Sequence, residues 1–168
     1  MPGKLLIPLI LWAAWVGYVD WRDRRIPNQL SLGAWVVGIV MLVFEQASLV
    51  GVSPSSALYG AAFGLLVTYP AYLMRKLGAG DVKFLVAMGL LTSFSITIKA
   101  FVIAAFAGSL LAILWLTVDW WITYLPERLT GQAHFVGRWL AIPIRERRMA
   151  YGSLLAMGLI ASLWMEHS

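Results

Sequence analysis

Long apolar stretches alternate with short polar ones along this chain, and their lengths suit helices crossing a bilayer rather than strands. The first apolar run extends from Leu5 to Val19 and stops at Asp20. A basic loop follows through residue 29 and is closed by Pro27 and Asn28, where Asn28 or Ser31 can cap the next helix. The second run covers about Leu30 to Phe44. Ala47 to Ser56 is a loop with Gly51 and Pro54 and no basic residue, and the third run, Ala57 to Met74, is terminated by Arg75 and Lys76. The Gly33/Gly38 and Gly60/Gly64 spacings read as helix-packing faces.

From Gly80 to Trp121 the chain is apolar almost throughout, too long for one span and right for two. A break near Thr92-Ser93-Phe94-Ser95 leaves a short fourth span, Val82 to Leu91, and a full fifth, Ile98 to Val118. Residues 119–149 mix prolines and glycines with aromatics and arginines, which predicts a segment lying on the membrane surface near 130–148. The sixth span is Tyr151 to Trp164. The expected fold is therefore all-α: a polytopic integral membrane helix bundle with about six transmembrane helices, one domain over 1–168.

Composition sharpens this picture. Of 168 residues, 61% are hydrophobic and 12% charged, with a mean hydropathy of +0.80. So little charge cannot cover a globule with polar surface, and part of the solvent must be lipid. The first apolar run is followed by Tyr18-Val19-Asp20-Trp21 rather than by a small-residue cleavage site, so it reads as a retained span. The net charge of +5 sits in short runs between spans rather than along a stripe, which argues for topology and lipid headgroups and against nucleic acid. If residues 20–29 face the cytoplasm, alternation puts 75–81 and 119–149 there too. Those regions, with Lys83 at the edge of one, hold every Lys and Arg except Lys4 and Lys99.

That orientation places Asp20 and Asp81 at the same cytoplasmic face. Asp81 stands at the mouth of an apolar span behind Gly78 and Gly80, and an ionisable group there is read by default as a site whose partner must be named. Two aspartates held close share a proton, so one can activate water while the other donates to a carbonyl oxygen. This chemistry needs no cofactor. The absence of cysteine excludes disulfides, thiolate metal sites and a cysteine nucleophile, and His134 and His167 have no helical-spaced partners, so no metal site is expected.

Asp20 with Ile26-Pro27-Asn28, then Gly78-Ala79-Gly80-Asp81-Val82-Lys83, then Ala150-Tyr151-Gly152, resembles the type IV prepilin peptidases, the membrane aspartic proteases with a GxGD motif. The usual proline before that tyrosine is Ala150 here. The resemblance implies a peptidase of the bacterial inner membrane. It would cleave the short basic leader of prepilins on the cytoplasmic side, with Asp20 and Asp81 as the catalytic pair. Gly78, Gly80, Lys83, Asn28, Pro27 and Tyr151 are the supporting candidates. Larger members carry a cysteine-containing region and also methylate the new N-terminus. This chain looks like the short form found in tight-adherence (Flp-type) pilus systems, which implies cleavage without methylation.

Each residue has a plainer reading. Asp20 alone could end a helix at an interface. Asp23 competes with it, three residues on, although its arginine neighbours suit a solvated charge. Asp81 could be a helix cap, Lys83 a snorkelling lysine, Asn28 a cap and Pro27 the end of an extended turn. Asp119 resembles part of an aromatic belt, and Glu45 is expected on the far side. Two rival functions stand beside this one: a proton-coupled transporter using the same carboxylates as a relay, and a non-catalytic scaffold of a pilus or secretion assembly, which would tolerate loss of either aspartate.

Overall fold

The computed structural model describes residues 6–123 and 150–167, with no strand among them. Six helices follow one another: α1 (Leu6–Asp23), α2 (Asn28–Val40), α3 (Pro54–Leu73), α4 (Ala79–Leu91), α5 (Phe94–Thr123) and α6 (Tyr151–His167). A single π turn, Met41–Glu45, extends α2 and stops where Gln46 turns left-handed with φ 53°. The expected interfacial segment near 130–148 and the side chain of Asp119 lie outside the described residues.

Among the described residues, three stretches are long and apolar enough to cross a membrane: Asn28–Glu45, Pro54–Leu73 and Phe94–Val118. The count is thus lower than the six expected, for local reasons. Helix α1 ends in Asp20, Arg22 and Asp23, so its apolar part is short. Helix α4 has 13 residues, which rise only about 20 Å at 1.5 Å each. Helix α6 has 17 residues. The expected break between the fourth and fifth runs is present, with Thr92 and Ser93 outside either helix.

The described residues form two compact units, 6–105 with 150–167, and 106–123. In the first, α4 is the axis. It is apolar on every face and buried on every face from Phe84 to Leu91, as such a helix must be. It packs on α2, α3 and α6, and α1 packs on α6. A core of Leu9, Ala13, Val16, Ile26, Phe84, Met88, Leu155 and Leu159 joins α1, α4 and α6, and Trp12 tilts over Phe84 at 5.1 Å.

Small residues set how closely the helices approach. A Cβ on Gly60 would stand 3.1 Å from Gly89 Cα, and one on Gly64 3.0 Å from the Leu85 carbonyl carbon, so the Gly60/Gly64 face is the α3 side of the α3–α4 contact. Gly38 likewise admits Leu90, at 2.9 Å. Gly33 meets nothing within 4 Å, so the expected Gly33/Gly38 face reduces to Gly38. In the second unit, Ser109 and Thr117 return their hydroxyls to carbonyls three residues earlier on α5. This disposes of polar groups on an otherwise apolar helix.

Both ends of the first unit are tied. At one, Leu49 N–H donates to Leu91 O and Phe94 N–H to Ser56 Oγ, and Lys99 pairs with Glu166. At the other, Ile26 of the 24–27 connection meets Gly152 at the start of α6. Glu45 lies at the end of the π turn, at the far end of α2 from Asn28, and so is removed from the site, as expected.

Candidate active site

Helix α1 buries Leu9, Ala13, Val16 and Asp20, a stripe of i, i+4, i+7 and i+11 on one face. Asp20 therefore continues the phase of an apolar stripe into the bundle and is only 4% exposed. Asp23 should share this face, but α1 ends there. Arg24 turns left-handed with φ 50°, its N–H donating to Asp20 O at 2.8 Å, a helix-ending bond one turn long. The Asp23 side chain is 61% exposed and pairs with Arg22 at 3.8 Å. Of the two competing carboxylates, Asp20 is the inward one.

Asp81 comes from the first turn of α4. The expected cap role belongs instead to Gly78, whose extended backbone (φ −75°, ψ 147°) opens the helix. Asp81 is the third helical residue. Its N–H donates to Gly78 O at 3.2 Å while its carboxylate accepts from the Gly78 N–H, half of a capping box run in reverse. A Cβ on Gly78 would stand 3.1 Å from Asp81 Oδ2. Asp81 is partly exposed where Asp20 is not, so solvent reaches the pair from its side.

The two carboxylates converge on the N-terminus of α6. Ser153 N–H donates to Asp20 Oδ2 at 2.9 Å, and the backbone of Gly152 interacts with both Asp20 and Asp81. Ser153 Oγ donates to Gly17 O at 2.9 Å and lies 3.3 Å from Asp20 Oδ2. A helix start offers free N–H groups and the positive end of its dipole, which suits an anion. Tyr151, partly buried, stands close enough to Asp81 to feel its charge.

Ile26 closes the floor. It is the apolar residue of the basic loop, 8% exposed and part of the core. A Cβ on Gly80 would meet Ile26 Cβ at 3.1 Å, and one on Gly152 would meet Ile26 Cδ1 at 2.6 Å and Asp20 Cγ at 3.0 Å. Both glycines are small so that Ile26 and the carboxylates fit between α4 and α6.

Asp20 and Asp81 fall outside the three membrane-length helices. Burial raises the Asp20 carboxyl above its ordinary value, against the pull of the Ser153 N–H, the Ser153 hydroxyl and the Gly152 N–H. Burial, then the charge of Asp20, push Asp81 up to about 7, against the Gly78 and Gly152 N–H groups. A buried carboxylate and a half-buried one that feel each other can share a proton near neutral pH. Such a pair can take a proton from water with one member and give one to a carbonyl oxygen with the other.

The other candidates divide. Gly78, Gly80 and Tyr151 adjoin the carboxylates. Lys83 does not point at Asp81, since residues two apart on a helix do not face each other. Its Nζ donates to Asn28 Oδ1 at 2.8 Å, and its carbonyl accepts from Trp35 Nε1 at 2.8 Å, so it fastens α4 to α2. Neither Asn28 nor Ser31 caps α2 through its side chain. Pro27 is the cap residue, its carbonyl accepting from Leu30 and Ser31 N–H, because α2 begins one residue earlier than a capping Asn28 requires. Ser153 was not singled out from the sequence. Its only signal was position, at the opening of the last apolar run.

A model of the type IV leader peptidase family matches residues 7–113, a stretch that holds both carboxylates and ends before α6. No curated protein and no solved structure matches the chain.

Proposed function

Because the chain belongs to the type IV leader peptidase family, we propose that it is an aspartic endopeptidase that removes the short basic leader from prepilins of the Flp type. The observation that carries this reading is the meeting of Asp20, from the end of α1, with Asp81, from the start of α4, at the N-terminus of α6.

The ionised member of the pair takes a proton from a water molecule, whose oxygen attacks the scissile carbonyl carbon. The protonated member donates to the carbonyl oxygen as it becomes a hydroxyl. Collapse of the tetrahedral diol expels the amine, which leaves with a proton from one carboxyl, while the hydroxyl that becomes the product carbonyl gives its proton back to the other carboxylate. The exchange returns one proton to the two carboxyls, so no metal or other cofactor is called for. The substrate is a membrane-anchored prepilin whose apolar helix enters the lipid beside the bundle.

Orientation rests on charge. Arg22 in the last turn of α1, and Arg24, Arg25, Arg75 and Lys76 in the connections, lie at the carboxylate end of the first unit. The positive-inside bias supports reading this end as the cytoplasmic face of the inner membrane.

The test is processing of a co-expressed Flp-type prepilin by Asp20→Asn and Asp81→Asn. Each is expected to lower cleavage about a thousand-fold or more, the scale seen when one member of a cooperating set is lost, while the protein still inserts. A scaffold or a transporter predicts that the wild type itself releases no leader. Substantial cleavage by either variant would remove the aspartic mechanism.

A further inference from the structure

We propose that Ser153 is a positioning residue that makes Asp20 the ionised member of the pair, and hence the base, leaving the proton and the acid role to Asp81. This rests on the aspartic peptidase reading above and adds to it a division of labour.

The two carboxyls are held differently. Asp20 Oδ2 receives a short bond from the Ser153 N–H at 2.9 Å and has Ser153 Oγ at 3.3 Å. Both come from the first turn of α6, where N–H groups have no partner inside the helix. Asp81 receives its backbone contacts from Gly78 and Gly152, and no side-chain hydroxyl acts on it among the described residues. Donors on an oxygen favour its anionic form, so the residue holding more of them keeps the charge.

The hydroxyl adds a switch to this bias. Ser153 Oγ carries one proton and has two acceptors in reach, Gly17 O at 2.9 Å and Asp20 Oδ2 at 3.3 Å. With the proton turned to Gly17 O, a lone pair faces Oδ2, which suits a protonated Asp20. With the proton turned to Oδ2, the contact suits the anion. Gly17 permits this pivot because a side chain there would collide with Ala156 and approach Ser153, with Ala156 Cβ at 2.9 Å from an added Cβ.

The other charged and titratable groups near Asp20 do not supply the asymmetry. Asp81 from α4 favours the neutral form of Asp20. Tyr151 from α6 feels the charge of Asp81. Lys83 of α4 is bonded to Asn28. On α1, Arg22 and Asp23 are exposed and paired with each other, and Arg24 and Arg25 of the following loop are exposed.

The experiment is the pH profile of kcat/KM for leader cleavage by the full chain, comparing wild type with Ser153→Ala and Ser153→Thr, with Asp20→Asn and Asp81→Asn as controls. Ser153→Ala keeps the backbone N–H and deletes only the hydroxyl. Its acid limb, where the base must ionise, is expected to move up by about half a unit to one unit, the size of one ordinary hydrogen bond. Ser153→Thr, which keeps the hydroxyl, should return that limb to the wild-type position. An acid limb unmoved in Ser153→Ala, with both Asn controls inactive, overturns the role of Ser153 and leaves the peptidase reading standing. Activity in either Asn control overturns the reading itself. A fall in rate or in Tm without a displaced limb is what a purely structural serine would give, and counts against the proposal.

Discussion

Ile26 Cδ1 occupies the space that a side chain on Gly152 would need, 2.6 Å from where its Cβ would stand. The two residues come from opposite ends of the chain, one from the loop after α1 and one from the first turn of α6. Between them they fix how near Asp20 lies to the start of α6.

Gly152→Ala is therefore expected to cost about 1–3 kcal/mol of stability, the range for overpacking a close contact. The added methyl also presses on Asp20 Cγ and Oδ2, both at 3.0 Å. Displacement of a catalytic group by about 1 Å can cost about a hundred-fold in rate. Ile26→Val deletes the colliding Cδ1, so Gly152→Ala/Ile26→Val should recover most of the lost Tm while cleavage stays depressed. Recovery of both together would mean that Asp20 is not held by this contact.

Much of this site was legible before any coordinates. The stripe Leu9, Ala13, Val16, Asp20 has helical phase, and the glycines before Asp81 announced a close approach. What the sequence hid were contacts between distant segments. Ser153 meets Asp20 across 133 positions, and no local pattern distinguishes it from a serine opening any helix. The role of Lys83 was also hidden, because its partner Asn28 is 55 residues away. The span count went astray because an apolar run was equated with a crossing. Helix α4 is apolar because neighbouring helices sheathe it, and core burial leaves the same signature as lipid.

Two glycine substitutions should separate packing from propensity. A Cβ on Gly89 would overlap the backbone of Gly60 and Ala61, and backbone cannot turn aside as a side chain can. Gly89→Ala should destabilise by about 3 kcal/mol or more, by forcing α3 and α4 apart. Gly33 has nothing within 4 Å, so Gly33→Ala should gain about 0.5–1 kcal/mol of helix stability. Thermal unfolding in detergent measures both, and a similar change in the two variants would contradict the α3–α4 contact.

The end of α3 offers a stabilising change. Arg75 adopts φ 56°, with its N–H on Tyr72 O and Lys76 N–H on Ala71 O, both at 2.9 Å. These are the two bonds of a Schellman ending, which glycine favours at the left-handed position. Arg75→Gly should raise Tm by removing strain of about 1 kcal/mol. Lys76 keeps a positive charge in the loop, so insertion should be unchanged. A lowered Tm would show that the arginine side chain contributes more than its backbone costs.

The raised carboxyl of Asp81 makes a prediction whose sign can be worked out. Its ordinary value of 3.8 describes the unfolded chain, and about 7 describes the fold. Below pH 3.8 the group is neutral in both states and costs nothing. Between 3.8 and about 7 the unfolded chain sheds its proton and the folded one keeps it, so stability falls as pH rises through this window. Above it both states are ionised and the loss is complete. Asp81→Asn removes the titration while keeping an oxygen that accepts from the Gly78 or Gly152 N–H. The variant should therefore melt higher than wild type above neutral pH, and the gap should close as pH falls toward 4. A variant that melts lower than wild type at every pH would mean that Asp81 is held as an anion, and that the shared proton lies elsewhere.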